Sequence, residues 1–146
     1  MFLGKLKSFV KDNILEQIQY IKYKYIFKMN ISKTTKISRK ALLDTTNPSG
    51  INIGDFTIIT TNVSILTHDF INQEHKSTYI GNNCFIGMNS VILAGVKIGN
   101  NVIIAAGTIV NKNIPSNCLA GGNPVRIIKE NIKTTKYGIN PERYNA

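Results

Sequence analysis

The sequence predicts an all-β core, a parallel β-helix of about four coils, with a short N-terminal α-helical segment and a C-terminal tail. Three observations predict it. Every sixth residue from Ile80 to Val110 is aliphatic (Ile80, Ile86, Ile92, Ile98, Ile104, Val110), a period that neither one strand nor one helix produces. The other places in the repeat are small where space is short. Gly81, Gly87, Gly99 and Ala105 follow the aliphatic residue, where the chain bends and a large Cβ is awkward, and Cys84, Ser90, Val96, Val102 and Thr108 hold the fifth place inside a narrow prism. Lastly, Asn82-Asn83 and Asn100-Asn101 occupy equivalent corners, and Asn tolerates left-handed backbone angles. A chain that turns every six residues closes a triangle every eighteen, stacking Ile80 on Ile98, Ile86 on Ile104 and Ile92 on Val110.

Residues 1–30 form the helical segment. Phe2, Leu6, Phe9, Val10, Ile14, Ile18, Ile21 and Tyr25 recur at steps of three and four, with a Lys-rich opposite face and only Gly4 as a breaker. Such a helix packs on the end of the β-helix or a neighbouring subunit, or lies on a membrane surface. The coil domain, 31–130, begins at Ile31, Ile37 and Leu43, breaks at Asn47-Pro48-Ser49-Gly50, and resumes at Ile53, Ile59, Ile65 and Ile71. The polar step from Ile71 to Ile80 has no room in a coil, so 71–79 is expected to protrude as a loop. The pattern fades at Pro115, Gly121-Gly122-Asn123-Pro124 makes a tight turn, and 131–146 is a polar tail ordered by contact. The helix and the tail are the available caps for the open strand edges.

The net charge of +10 is concentrated: residues 1–40 carry ten Lys or Arg against Asp12 and Glu16. That segment suits an anionic partner such as a membrane surface or a phosphorylated small molecule. Charge alone suggests nucleic acid, but no reading motif accompanies it, so no nucleic-acid partner is expected. The first ten residues are broken by Lys5 and Lys7, so no secretory signal is expected, and no stretch reaches the length of a membrane span. The two cysteines, Cys84 and Cys118, form no disulfide framework, and Cys84 falls on an inward place as a free thiol. This suits a cytoplasmic protein, at the inner face of the membrane if the helix lies there.

From Ile53 to Glu130 the chain resembles the hexapeptide-repeat acyltransferases, closest to the sugar, capsule and O-antigen O-acetyltransferases and to the galactoside and maltose acetyltransferases. The matching pieces are Ile65-Leu66-Thr67-His68-Asp69, Ile80-Gly81-Asn82-Asn83-Cys84-Phe85-Ile86-Gly87, Ile92-Leu93-Ala94-Gly95-Val96-Lys97-Ile98-Gly99, Ile104-Ala105-Ala106-Gly107-Thr108 and Ala120-Gly121-Gly122-Asn123-Pro124-Val125-Arg126. The resemblance implies a left-handed β-helix, which the usual right-handed crossover preference would not give. It also implies a homotrimer with sites between subunits, acetyl-CoA as co-substrate, and no metal; a zinc site on such a prism needs three His and the chain has two.

His68 matches the family's catalytic residue. A sugar hydroxyl attacks poorly unless its proton leaves as it does so, and an imidazole can take that proton. Direct transfer needs a fixed donor for the oxyanion, expected from backbone N–H near Gly87 and Met88. Asp69 either serves the substrate or orients the His, or simply makes a turn. Asp44 either lines the acceptor pocket or forms a corner, and His75 either contacts the acceptor sugar or is a solvated loop residue. On the donor side, Ala105 and Ala106 would let the pantetheine arm approach, and Phe85 would wall the acyl arm where many relatives have Trp. Lys112, Arg126 and Lys129 would meet phosphates, and Gly122, Asn123 and Pro124 would support the adenine end. The expected activity is O-acetylation of a cell-surface saccharide or its precursor. The alternatives are N-acetylation of an amino sugar, O-acetylation of serine or an antibiotic, and a catalytically silent β-helix scaffold.

Overall fold

The computed structural model describes residues 1–141; the side chain of Leu6 and the last five residues of the expected tail, 142–146, lie outside the described residues. The coil is built from strands of two to four residues on three parallel sheets. The first sheet stacks Asn30–Ile31, Ile51–Ile53, Thr78–Ile80 and Lys97–Ile98, in a register that places Ile31, Ile53, Ile80 and Ile98 in one ladder. The second stacks Lys36–Ile37, Ile58–Ile59, Phe85–Ile86, Ile103–Ile104 and Cys118–Gly121, with Ile37, Ile59, Ile86, Ile104 and Ala120 in line. The third stacks Leu42–Leu43, Ser64–Ile65, Val91–Ile92 and Ile109–Val110, with Leu43, Ile65, Ile92 and Val110 in line. Strands alternate their side chains, so the second residue of each pair turns inward, and the three ladders meet in one apolar core. Cys84, Ser90, Val96, Val102 and Thr108 are all buried, as the fifth place of the repeat requires.

The corners have two causes. Of the expected corner residues, Asn83 and Asn101 take the left-handed bend while Asn82 and Asn100 do not; Asn62, Asn89 and Asn117 take it as well, all five with φ between 55° and 61°. The glycines act differently. Gly81 and Gly87 are not left-handed. A Cβ on Gly87 would stand 2.6 Å from both the Ala106 amide nitrogen and the Ile104 carbonyl oxygen of the next rung, and one on Gly81 would stand 2.6 Å from the Gly99 carbonyl oxygen. Glycine is there because stacked corners touch, not because the chain needs an unusual torsion.

Two stretches depart from the six-residue count. Ile71 is not an inward residue: it is 94% exposed at the tip of a hairpin. The protrusion starts earlier than the 71–79 expected, with His68–Asp69 antiparallel to Glu74–His75, and Thr78–Ile80 is already back in the first sheet with Thr78 buried. Asp69 fixes the turn, accepting hydrogen bonds from the Ile71 and Asn72 N–H groups (3.1 Å each) and from Asn72 Nδ2 (2.7 Å). The six-residue step onto Ile71 is therefore a coincidence of spacing. Nor does the coil stop at Pro115. Ile114 is buried and bridges Ile98, and Cys118–Gly121 adds a further rung. The step shortens there, so a strict count of six loses it.

Arg126–Glu130 then runs antiparallel along Cys118–Gly121, across a register shift between Leu119 and Ala120. The described part of the tail, 131–141, folds down the second sheet. Tyr137 donates its N–H to the Phe56 carbonyl (2.7 Å) and meets the Phe56 ring edge-on, and Gly138 (φ 65°) lies against Phe85 so closely that a Cβ would strike it. At the other end the helix α1 (Phe2–Ile21) continues as π-helical turns over Lys22–Ile26, and Tyr20, Tyr23, Phe27 and the buried Met29 close the first rung.

Cys84 shows the tightness of this core. Its Sγ donates to the Gly99 carbonyl (3.2 Å), and burial pushes the thiol up to about 11. We expect Cys84 to resist maleimide labelling at neutral pH in the folded protein and to label fully in denaturant, as mass spectrometry of the labelled peptide would read.

Candidate active site

The corner between the third and first sheets carries the reactive side chains. Asp44 follows the Leu42–Leu43 strand and is almost fully buried. One carboxylate oxygen accepts from the Thr46 N–H (2.9 Å) and hydroxyl (2.6 Å); the other accepts from the N–H groups of Thr67 and His68 (3.0 Å each). Burial works against its charge, but the Thr46 hydroxyl and the three N–H donors outweigh it and hold the carboxyl below its ordinary range. Both oxygens are thus taken up by the chain itself. Asp44 anchors the backbone on which His68 stands.

His68 begins the hairpin. Its Nδ1 is buried and finds no protein partner among the described residues. The ring sits edge-on to Phe70 (centroids 4.2 Å apart) and to His75 (5.0 Å), which the hairpin register places directly opposite. His75, a loop residue by sequence, is therefore a neighbour of His68. Lys76 pairs with Glu74 (2.7 Å) and Asp69 (3.2 Å). The Asn72 side chain and N–H, then Lys76, hold the Asp69 carboxyl well below the usual carboxylate range; Glu74 and then Asp69 raise Lys76. Asp69 is thus a turn residue that also borders the cleft.

That cleft, about 420 Å³, is lined by Leu66, His68, Asp69, Phe70, Ile71 and Asn72 of the hairpin and by Leu93, Ala94 and Asn111 of the rungs beyond it. Of these only His68 and Asp69 were expected from the sequence. The ladder itself points to three of the others: Leu66, Leu93 and Asn111 each follow a core residue of the third sheet, Ile65, Ile92 and Val110. Lys112 continues this same edge and is exposed.

The expected donor-side residues lie elsewhere. Gly87, Met88, Ala105, Ala106, Gly122, Asn123 and Pro124 stack at the corner between the second and third sheets, so one whole face separates them from His68 within a single chain. The Gly87 N–H is committed to the Ile104 carbonyl (2.8 Å), which removes it as an oxyanion donor and leaves Met88 at that corner. Ala106 is exposed beside Gly107 (φ 71°), whose N–H reaches the Met88 carbonyl (2.8 Å). Gly122 (φ 101°) precedes the cis Asn123–Pro124 bond. Arg126 and Lys129 face solvent from the antiparallel strand above. Phe85 belongs to neither edge. It lies on the second sheet under the tail, bordering an apolar groove of about 380 Å³ with Ile58, Ile103 and Tyr137.

Comparison with known proteins is consistent across sequence and fold. The family described as bacterial transferase hexapeptide (six repeats) matches residues 77–112. YvoF of Bacillus subtilis, whose name assigns it provisionally to the acetyltransferases, is 35% identical over 134 residues, covering 87% of this chain and 78% of the relative. A galactoside acetyltransferase solved in complex with coenzyme A superposes with a TM-score of 0.58 at 27% identity, over 76% of this chain and 72% of that one. A maltose O-acetyltransferase from Clostridium difficile superposes with a TM-score of 0.57 at 27% identity, over 72% of each chain. The chain belongs to the bacterial hexapeptide-repeat transferases and is an acetyltransferase among them.

Proposed function

We propose that this chain transfers an acetyl group from acetyl-CoA to a sugar hydroxyl of a cell-surface saccharide or its precursor, with His68 as general base. The observation that carries the reading is the position of His68: an imidazole on a backbone pinned by Asp44, at the wall of a cleft large enough for a sugar ring. The galactoside and maltose enzymes among the structural relatives support a sugar acceptor, and the coenzyme A bound to the former supports the donor. His68 takes the hydroxyl proton as the oxygen attacks the thioester carbonyl. The new C–O bond forms, the C–S bond breaks, and the proton passes to the departing thiolate, so no acyl-enzyme is needed. The Met88 N–H is the remaining candidate for the oxyanion at its corner. Lys112 and Arg126 would meet the phosphates, with Lys129 on the same strand as Arg126, and Asp69 and His75 would face the acceptor.

The separation of the two edges gives the reading its assembly: a left-handed prism of about four coils that forms a homotrimer, with His68 of one subunit facing Met88, Ala105 and Ala106 of the next. The acceptor is lipid-linked, nucleotide-linked or polymeric, and the enzyme works in the cytoplasm at the inner face of the membrane. Thiol release from acetyl-CoA across a panel of sugars, with products mapped by mass, tests the chemistry; absence of release with every sugar and amino sugar would leave a silent scaffold. Mixed trimers test the assembly. His68→Ala and Ala106→Arg, each inactive alone, should regain about one quarter of wild-type activity when co-refolded in equal amounts, because three quarters of the trimers are mixed and each mixed trimer holds one intact site in three. No recovery would place the whole site within one subunit.

A further inference from the structure

Along the first half of α1 every described side chain is exposed. No atom outside the helix comes within 4 Å of a Cβ built on Gly4, and Phe2, Leu3 and Phe9 are largely exposed. From there on the two sides of the helix differ. Glu16, Gln19, Tyr20 and Tyr23 line a small cavity against Thr35, Lys36 and Ile37 of the prism, and Asp12 reaches Arg39 at 3.9 Å. Both acidic residues of the helix therefore turn toward the protein. Val10, Ile14, Ile18 and Ile21 lie on one stripe, as their steps of four and three require, and each keeps 48–55% of its surface in solvent. Leu3 and Tyr25 extend that stripe at either end and are more exposed still. Lys11 and Lys22 flank it and Lys7 interrupts it between Leu3 and Val10, all exposed.

An apolar ridge about 30 Å long, interrupted by Lys7, bordered by lysines and with the helix's carboxylates on the far side, has the charge and shape of a surface-lying helix. It is not a spanning one: no described helix is long and apolar enough to cross a membrane. We infer that the outer face of α1 docks this enzyme on an anionic lipid bilayer, the apolar ridge entering the headgroup boundary and Lys7, Lys11 and Lys22 meeting lipid phosphates. The charge distribution favours lipid over a second copy of this chain: a second copy would bring the same lysines, and like charges would face each other across the contact. The inference deepens the reading of a membrane-associated saccharide as acceptor, and its test is independent of that reading because it measures binding without turnover.

The experiment is co-sedimentation of the full chain with phosphatidylcholine vesicles, with and without phosphatidylglycerol. Binding should require the anionic lipid and fall steeply when salt shortens the screening length from about 10 Å to about 3 Å. Ile14→Asp/Ile18→Asp, at two exposed positions, should weaken binding by about tenfold or more, with unchanged circular dichroism and unchanged mass by light scattering. Lys7→Glu/Lys11→Glu should abolish the preference for phosphatidylglycerol. Three results would overturn the inference: no vesicle binding by the wild type, equal binding by the Ile14→Asp/Ile18→Asp variant, or a change of oligomer mass in that variant, which would show that another copy covers the ridge.

Discussion

His68→Ala should lower kcat for acetyl transfer by about 10²–10⁴-fold, the usual contribution of a positioned general base, and should leave the KM for acetyl-CoA within about twofold. The variant should fold. The hydrogen bonds that hold this corner run from Asp44 to main-chain N–H groups of Thr67 and His68, and they survive loss of the imidazole. The ring packs on Phe70 and His75, both exposed, so its removal opens no core cavity. Loss of turnover with retained donor affinity would therefore report chemistry rather than collapse, and thiol release from acetyl-CoA in the presence of a soluble sugar reads it directly. Wild-type turnover in this variant would remove the proposed mechanism.

Asp44→Ala has the second large effect, on stability and rate together. It leaves the buried Thr67 N–H and the neighbouring His68 and Thr46 N–H groups without their acceptor. Each unsatisfied buried donor costs about 1–3 kcal/mol, so a total near 3 kcal/mol is expected in the urea midpoint. Asp44→Asn keeps one accepting oxygen and should lose less. With its backbone tether gone, His68 drifts from the cleft wall, and a misplacement of about 1 Å is enough for a loss in kcat of up to about 10²-fold. The pH dependence has a definite sign. The folded carboxyl titrates below its ordinary value of 3.8, so its stabilising effect is complete above that value and is lost as pH falls through the lower, folded one. Wild type should lose stability across that acid window, and Asp44→Ala should show a flatter curve there. An Asp44→Ala protein as stable and as active as wild type would mean that the corner is held by other contacts.

The coil was legible because a triangular prism repeats one constraint at every rung, and Ile80, Ile86 and Ile92 announce it in order. The first rung and the rung after Pro115 were harder to see, since corners there take more or fewer residues while the ladder through Ile31 or Ile114 stays in register. Spacing alone misassigned Ile71, because nothing in a count of six separates a core residue from a hairpin tip. His68 was legible through its surrounding motif. The partnership of Asp44 with the His68 backbone was not, since it joins two rungs through main-chain atoms that carry no side-chain signature. The separation of Met88 and Ala106 from His68 likewise needed the three sheets to be told apart.

The antiparallel strand Arg126–Glu130 also guards one end of the coil. Parallel rungs have no intrinsic last member, and an uncovered one invites the first rung of another molecule to dock on it, a route to filaments. Here one flank of that terrace is occupied by a strand pointing the wrong way, offset by a bulge and studded with Arg126, Lys129 and Glu130. Head-to-tail growth is discouraged at its source.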